Sequence, residues 1–394
     1  MIGGMIPPAR HFALDPAVTY LNHGAFGACP QPVLDAQRDL RARLESEPVL
    51  FIGRQWEGLM DAVRATLGTF LGADPDDLAL VTNATMGVNT VLRSLRFEAG
   101  DEILLTDHGY NASANAARFV AERHGLRIVV AKVPFPLTDP QEVTAAVLAA
   151  ATPRTRLALL DHVTSPTGLV FPIEALVRAL ADRGIDTLVD GAHAPGMLPL
   201  ALDALGAAYY TGNCHKWVCA PKGSAFLHVR KDRQARIHPL VISHGANSGR
   251  TDRSRFRLLF DFTGTQDPTA WLATPDALRF MGSLLPGGWE ALRAQNRARV
   301  LRGRSILCDA LGIAAPAPES MIGSLATVPL PPGLTPSPDD ITNTLFDRHR
   351  IEVPTWFWPS APARILRVSA QIYNDESQYD RLAAALTEVL GARA

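Results

Sequence analysis

The chain reads Asp186-Thr187-Leu188-Val189-Asp190-Gly191-Ala192-His193 and, further on, Tyr209-Tyr210-Thr211-Gly212-Asn213-Cys214-His215-Lys216-Trp217. Each segment starts as a short run with the composition typical of a buried strand. Each then ends in polar side chains that can do chemistry. A carboxylate thus follows one predicted strand at Asp190, and an amine follows the next at Lys216, 26 residues later in the sequence.

Around this stretch, the sequence from Asp77 onward alternates short apolar strands with single helices. The predicted strands are 77–82, 101–106, 126–130, 156–161 and 186–190, and the predicted helices are 85–95, 112–123, 141–151 and 173–182. Apolar strands separated by helices indicate a parallel sheet that helices cover on both faces. In such sheets ligands bind beyond the carboxyl ends of the strands, so the residues that follow strands are the candidate site residues.

The alternation ends after about Phe262, and the remaining chain predicts a smaller α+β unit. Its predicted helices are 289–311, 339–349 and 376–390, and its predicted strands are 324–329, 351–353 and 365–369. A further helix is predicted at 33–44. We therefore expect an α/β fold in three parts: an N-terminal segment 1–71 that packs on both domains, a large domain 72–265 and a small C-terminal domain 266–394.

Composition restricts the function classes. The 394 residues include 38 basic and 39 acidic ones, giving a net charge of −1, so no strong field attracts the protein to nucleic acid or an anionic membrane. The four cysteines form no CxxC pair, which argues against a disulfide framework or a zinc site and favours a reducing compartment. Residues 1–13 lack the apolar core of a signal peptide, and no apolar run reaches membrane-spanning length. We expect a cytoplasmic enzyme that binds no metal, membrane or nucleic acid.

A carboxylate and an amine at the ends of two strands suit the chemistry of pyridoxal 5'-phosphate (PLP). Lys216 would hold the cofactor as an imine (a Schiff base), and Asp190 would keep the pyridine nitrogen protonated so that the ring can accept electrons. The alternative is that Asp190 caps a helix and Lys216 faces solvent. The two motifs together, at this spacing, favour the cofactor.

Three further segments that follow predicted strands would complete such a site. Residues 81–87, in which the predicted helix 85–95 begins, offer backbone N–H groups to a phosphate. An ordinary N-cap by Asn83 or Thr85 explains the same residues. Tyr110 would lie flat against the cofactor ring, unless it is a half-buried packing residue. Ser165 would hydrogen-bond the phenolic oxygen of the cofactor, although turn formation explains it nearly as well.

These motifs resemble the class V aminotransferase family of PLP enzymes, which has the fold-type I architecture. The resemblance is carried by Asp190–Gly196, His215–Trp217 and Ala220–Gly223. The segments Leu21–Pro30 and Leu366–Asn374 resemble the isopenicillin N epimerase-like branch of that family. The similarity extends over nearly the whole chain.

The resemblance implies a set of cofactor-binding residues. Lys216 would bind PLP covalently, Asp190 would pair with the pyridinium nitrogen, His193 would lie against the cofactor and Tyr110 would stack on its ring. The residues implied to surround the phosphate are Ala84, Thr85, Asn213 and His215, together with Gly264 and Thr265 of a second subunit. The last two imply a homodimer with shared sites.

The resemblance also implies how an amino-acid substrate is held. Arg367 would bind the α-carboxylate through its guanidinium group, with Asn22 and His23 nearby, unless Arg367 is an ordinary surface arginine. Lys216 is the base on one face of the substrate. Tyr110 or His23 would supply the proton on the other face.

Several reactions remain open for such a site. The first hypothesis is an epimerase or racemase acting at the Cα of an amino acid. The second is a carbon–sulfur lyase similar to the hercynylcysteine sulfoxide lyases, followed by an aminotransferase and, last, a non-catalytic protein that keeps the fold. Cysteine desulfuration through a persulfide is disfavoured because residues 351–360 contain no cysteine.

Overall fold

The computed structural model describes residues 8–334 and 336–391. The strands of the described residues are β1 (Thr19–Tyr20), β2 (Leu78–Val81), β3 (Glu102–Thr106), β4 (Arg127–Ala131), β5 (Thr155–Asp161), β6 (Asp186–Asp190), β7 (Tyr209–Asn213), β8 (Ala225–Val229), β9 (Leu325–Pro329), β10 (Ile351–Glu352), β11 (Thr355–Phe357) and β12 (Arg364–Ser369).

The strands are connected by α-helices of very different lengths. These are α1 (His23–Phe26), α2 (Gln31–Ser46), α3 (Trp56–Leu71), α4 (Ala84–Ser94), α5 (Asn111–His124), α6 (Gln141–Ala150), α7 (Ile173–Ala181), α8 (Leu202–Leu205), α9 (Arg255–Phe260), α10 (Thr269–Leu272), α11 (Thr274–Ser283), α12 (Gly288–Leu311), α13 (Pro338–His349) and α14 (Glu376–Gly391). Short 3-10 turns occur at Pro8–His11, Pro75–Asp77, Lys231–Arg236, His244–Asn247 and Glu319–Met321, and a π-helical turn occurs at Val49–Gln55.

A seven-stranded sheet forms the centre of the molecule, in the order β2-β8-β7-β6-β5-β3-β4. The neighbouring pairs from β7 to β4 are parallel, and β8 is antiparallel to both of its neighbours. The sheet is therefore mostly parallel, which confirms the predicted α/β class. The sequence analysis did not predict β8, which follows β7 without an intervening helix and for that reason runs in the opposite direction.

Both faces of this sheet are buried, as expected for strands connected by helices. Ile103 and Leu105 of β3 pack into a core with α4, α5 and α9, whereas Leu104 between them packs into the core on the other face. Alternate residues of a strand point to opposite faces, so a strand buried on both sides is apolar throughout. This is why the predicted strands match the observed ones closely in position.

A second, three-stranded antiparallel sheet has the order β11-β12-β9 and packs against α12 and α13. The N-terminal part of the chain contacts elements that lie far away in the sequence: β1 pairs with β10, and α2 packs against α10 and α11. The division into domains at residues 71 and 265 stays a prediction.

The segment after α1 lies against the loop that carries Lys216. Gly27 has a φ of 69°, and a Cβ atom there would lie 2.2 Å from the carbonyl oxygen of His215 and 3.0 Å from the Cα of Lys216. No side chain fits at this distance, so glycine is required for the N-terminal segment to approach the loop. A contact between residues 27 and 215 thus fixes one wall of the region at the carboxyl ends of the strands.

This close approach predicts different effects for two glycine substitutions. Gly184 also has a positive φ, of 72°, but a Cβ there would meet no atom within 4 Å. Gly184→Ala should therefore cost only the backbone strain, about 1–2 kcal/mol. Gly27→Ala should cost about 1–3 kcal/mol more, because its methyl group also displaces backbone atoms. Urea unfolding of both variants measures the difference, and equal losses of stability would contradict the contact.

Candidate active site

A cavity of about 340 Å³ lies beyond the carboxyl ends of the central strands, a size typical of small-molecule sites. Its walls include Thr85, Tyr110, Asp190, His193 and Lys216, which come from four separate segments of the chain. A larger cavity of about 760 Å³ lies between the end of α4 and residues 235–240, but its wall carries neither a lysine nor a carboxylate. We place the active site in the smaller cavity because the reactive groups converge there.

Lys216 presents its amine to this cavity. Its Nζ lies 3.0 Å from Nε2 of His193. Loss of water around the amine and, to a smaller extent, the positive charge of Arg367 lower the pKa of Lys216 to about 7, although the charges of Asp190 and Asp161 oppose this shift. Lys216 therefore carries a neutral, nucleophilic amine in a large fraction of molecules at neutral pH.

His193 supports this neutral state of the amine. Its Nδ1 accepts a hydrogen bond of 3.4 Å from the indole N–H of Trp217, so Nε2 carries the ring hydrogen and donates to Lys216. Burial and the charge of Lys216 hold the pKa of His193 well below its ordinary value. A neutral imidazole thus faces a neutral amine.

Asp190 ends β6 and is buried on the wall of the same cavity. Its Oδ2 accepts a hydrogen bond of 2.7 Å from the hydroxyl of Ser113, and its Oδ1 accepts one of 3.1 Å from the N–H of Ala192. Burial raises the pKa of Asp190, while both hydrogen bonds oppose that rise because they stabilise the ionised form. A carboxylate held in this way suits a cationic partner such as a pyridinium nitrogen.

The N-terminus of α4 offers a site for an anion. Asn83 is the N-cap, since its side-chain oxygen accepts a hydrogen bond of 2.8 Å from the N–H of Met86. The capping alternative is therefore correct, and it coexists with the anion site because a cap satisfies only one of the free N–H groups of the first turn. Ala84 and Thr85 begin this turn, as the phosphate prediction requires.

Two side chains from the β7 loop complete the anion site. The Oδ1 of Asn213 accepts a hydrogen bond of 2.8 Å from the N–H of Ala84, which leaves its amide NH₂ group for a ligand. The Nδ1 of His215 donates to the carbonyl oxygen of Ser224 over 3.0 Å, so its Nε2 is the atom available to a ligand. Both residues line the cavity.

Tyr110 and Ser165 line the cavity where the sequence analysis expected them. Tyr110 precedes α5, is 42% exposed and donates its backbone N–H to Oδ1 of Asp161 over 3.2 Å. The carbonyl oxygen and the hydroxyl oxygen of Ser165 both accept hydrogen bonds from Arg367. Ser165 therefore also anchors the arginine.

Arg367 of β12 is a buried cation without a counter-ion. Its guanidinium group stacks over the ring of Trp356 at 5.2 Å, and only 4% of the residue is exposed. Burial lowers the pKa of Arg367 to about 10. Within residues 8–334 and 336–391, no carboxylate lies within 4.0 Å of this guanidinium group. Its buried positive charge can therefore pair with an anionic ligand.

None of the three predicted substrate-binding residues lines the cavity wall itself, although Arg367 hydrogen-bonds Ser165, which does. His23 is fully buried behind Lys216, where its Nε2 donates to the carbonyl oxygen of Lys216 over 3.0 Å and its Nδ1 accepts from the hydroxyl of Tyr373 over 2.7 Å. Burial lowers the pKa of His23 to about 3, so its ring is neutral. Asn22 instead donates to Glu352 over 3.2 Å. The N-terminal segment turns both side chains away from the cavity.

The remaining prediction concerns a second subunit. Gly264 and Thr265 do not line the cavity of their own chain, and Thr265 is exposed. This position leaves them free to contact another molecule.

Three residues at the site were missed in the sequence. Ser113 reaches Asp190 from α5, and Asp161 ends β5 directly beside Asp190. Phe26, 74% exposed, lies on the cavity wall in α1. Asp161 had a readable signal, because it is a carboxylate at the end of an apolar strand, as Asp190 is. Ser113 and Phe26 had none, since their neighbours at the site are distant in the sequence.

The donor set fits PLP. The cavity combines a neutral amine at Lys216, a hydrogen-bonded carboxylate at Asp190 and the anion site at the N-terminus of α4. These are the groups that the cofactor's aldehyde, ring nitrogen and phosphate require. Asn213 and His215 add free donors or acceptors to the anion site.

Comparison with known proteins agrees with this chemistry. The family model "Aminotransferase class-V" matches residues 19–303. The chain is 38% identical to isopenicillin N epimerase of Streptomyces clavuligerus and 39% identical to that of Amycolatopsis lactamdurans, and each alignment covers 96% of both chains. It is 30% identical to a probable chloroplastic L-cysteine desulfhydrase of Arabidopsis thaliana, over 94% of this chain and 83% of that one.

Solved structures share the fold. A mutant of C-DES with glycine covalently linked to its PLP cofactor superposes with a TM-score of 0.82 at 24% identity, covering 97% of this chain and all of that one. The seven-stranded sheet and its covering helices are therefore those of a fold-type I PLP enzyme. Within the described part of the chain, no helix combines the length and apolar character needed to cross a bilayer. Taken with the matched family model and the epimerase and desulfhydrase relatives, the site geometry leads to one assignment: the chain belongs to the aminotransferase class-V family and is a PLP-dependent enzyme of the epimerase or carbon–sulfur lyase type.

Proposed function

We propose that this enzyme inverts the configuration at the Cα of an amino-acid substrate, as an epimerase similar to the isopenicillin N epimerases. Chemistry at Cα is supported by Arg367, a buried guanidinium without a carboxylate partner among the described residues, and by Lys216, whose amine has a pKa that the charge of Arg367 helps to lower. Together they suit a substrate with a carboxylate beside a reacting carbon. Identities of 38–39% to the epimerases, against 30% to the desulfhydrase, favour inversion over elimination.

In this proposal each side chain has one task. When bound, PLP supplies the electron sink that acidifies the Cα proton. Arg367 fixes the substrate carboxylate through two parallel hydrogen bonds. The amine of Lys216 accepts the Cα proton on its own face, and the hydroxyl of Tyr110 donates a proton on the other. Asp190 keeps its negative charge next to the ring nitrogen throughout.

In this proposal His23 positions the backbone of Lys216 and does not transfer the proton that was expected of it from the sequence. Both nitrogens of its neutral ring are hydrogen-bonded within the protein, and its one N–H is directed to the carbonyl oxygen of Lys216 and not to a substrate. It holds the backbone of Lys216 through the carbonyl oxygen of that residue. Tyr110 is thus the candidate for the second face.

A carbon–sulfur lyase is the second candidate. The observation in its favour is the similarity to L-cysteine desulfhydrases over 94% of the chain. The first step of a lyase needs the same base and the same arginine. The two reactions differ only in whether a proton returns to Cα or a substituent leaves from Cβ.

We also propose a homodimer in which Gly264 and Thr265 of one subunit reach the phosphate site of the other. The exposed position of Thr265 supports this assembly, as do three adjacent exposed apolar residues, Leu240, Val241 and Ile242. All four cysteines are buried free thiols, which supports a reducing, cytoplasmic environment.

The covalent attachment of PLP to Lys216 can be tested against a second lysine on the same wall. Lys222 also lines the cavity, but its Nζ donates to the carbonyl oxygen of Gly27 over 2.8 Å. Borohydride reduction followed by peptide mapping should place the label on Lys216. Lys216→Ala should abolish the label and lower the rate by about 100- to 10,000-fold, whereas Lys222→Ala should keep the label. A label on Lys222 would overturn the assignment.

The role of Arg367 predicts a loss of substrate recognition. Arg367→Ala should lower kcat/KM by about 10- to 100-fold, since a charge-assisted hydrogen bond is worth about 1.5–3 kcal/mol. Arg367→Lys should recover little, because an ammonium group cannot form two parallel hydrogen bonds. Arg364, three residues earlier on β12, donates to the carbonyl oxygen of Pro362 and provides the matched control, Arg364→Lys. An unchanged kcat/KM in Arg367→Lys would contradict the proposal.

Inversion and elimination can be separated in heavy water. Incubation with an epimerase substrate should give deuterium at Cα together with the inverted product. Tyr110→Phe should suppress inversion and leave Cα–H exchange measurable, because Lys216 still serves one face. Release of pyruvate or ammonia without an inverted product would replace the epimerase proposal with the lyase.

A further inference from the structure

Two carboxyl groups stand side by side at the active site. Asp161 at the end of β5 and Asp190 at the end of β6 are paired in register on adjacent parallel strands. Side chains of paired residues project from the same face, and adjacent strands lie about 4.8 Å apart. Asp161 is 5% exposed and Asp190 is 2% exposed, and both line the cavity. The protein has thus buried two acidic groups at neighbouring positions.

The two carboxyl groups differ in their hydrogen bonds. Asp190 accepts from the hydroxyl of Ser113 and from the N–H of Ala192. The Oδ1 of Asp161 accepts from the N–H of Tyr110, and the only other donor that stabilises its charge is its own backbone N–H, so no side-chain donor in the described residues serves it. Donors stabilise the ionised form of a carboxyl group, so Asp190 is the better place for a negative charge.

Two negative charges at this distance in a buried site strongly disfavour each other. A carboxyl pair in such a position shares one proton, as in the aspartic proteases. Burial raises the pKa of Asp161 well above its ordinary value, and the charge of Asp190 raises it further. Lys216 is the positive group that opposes this rise, but its lowered pKa of about 7 leaves the amine only partly charged at neutral pH. The adjacent His162 is also neutral, because burial lowers its pKa to about 4.

We propose that Asp161 is a positioning residue that holds a proton beside Asp190, so that the pair carries one negative charge and that charge stays on Asp190. This role rests on PLP dependence alone and is the same for an epimerase or a lyase. The Oδ2 of Asp161, which does not accept the hydrogen bond from the N–H of Tyr110, is the atom that bears the proton.

The proton on Asp161 also protects the reactivity of Lys216. A negative charge on Asp161 would favour the ammonium form of Lys216 and raise the pKa of that amine. A neutral Asp161 leaves the amine free to act as a nucleophile and base. The same proton therefore keeps Asp190 ionised and Lys216 neutral.

Infrared spectroscopy of the PLP-loaded protein tests the inference without measuring activity. At neutral pH, the wild type should show the carbonyl band of a protonated carboxylic acid, and Asp161→Asn should lack it. The matched control is Asp186→Asn at the other end of β6, where Asp186 is ion-paired with Arg233 at 2.8 Å. This variant should keep the band. Absence of the band in the wild type, or its persistence in Asp161→Asn, would overturn the proposal.

The unfolding of the apoprotein gives an independent measurement. Asp161 has a raised pKa in the folded state, so folding takes up a proton and the wild type loses stability as pH rises above the unfolded-state value of about 3.9. Asp161→Asn lacks this loss. The equilibrium constant for folding of Asp161→Asn should therefore rise relative to that of the wild type by up to tenfold per pH unit. A ratio of the two folding constants that does not change with pH would contradict the proposal.

If Asp161→Asn does not fold, ¹³C labelling of the aspartate carboxyls in the wild type must shift the infrared band, and an unshifted band would refute the assignment.

Discussion

The structure depends on one constraint: a lysine amine must be kept neutral inside a cavity lined with polar groups. Desolvation is the largest contribution to this state, and the positive charge of Arg367 adds to it. The protein holds the amine in place from several directions. The N–H of His193 donates to its nitrogen, His23 supports the backbone carbonyl of Lys216, and Gly27 lets the N-terminal segment pack against the same loop.

The carboxyl ends of parallel strands explain how distant residues reach this amine. Asp190, Asp161 and Tyr110 follow three different strands, and Arg367 arrives from the smaller antiparallel sheet. Because each strand is buried on both faces, its end is fixed by the core and not by solvent-exposed loops. The positions of the reactive atoms are therefore set by the packing of the sheet. The reaction itself depends on smaller features, since relatives named as epimerases and as L-cysteine desulfhydrases both match this chain over at least 94% of its length.

Local sequence pattern was enough to predict the strands of the parallel sheet, because burial on both faces leaves a continuous apolar signal. It also located Lys216, Asp190 and the N-terminus of α4, which directly follow strands. It did not reveal that His23 is buried, because the partners of His23, Tyr373 and Lys216, are 350 and 193 residues away. A histidine with two such partners is buried and neutral, yet in the sequence it is indistinguishable from one that faces a substrate. Ser113 escaped prediction for the same reason, since only the folded sheet brings it to Asp190.

The central claim is that the amine of Lys216 loses its proton near pH 7 and not near pH 10.5, and the rate of PLP capture by the apoprotein measures this directly. After correction for the ionisation of free PLP, the rate should rise about tenfold per pH unit below pH 7 and level off above it, because the neutral amine is the reacting form. A rate that continues to rise towards pH 10, as for a lysine with its ordinary pKa of 10.5, would contradict the account.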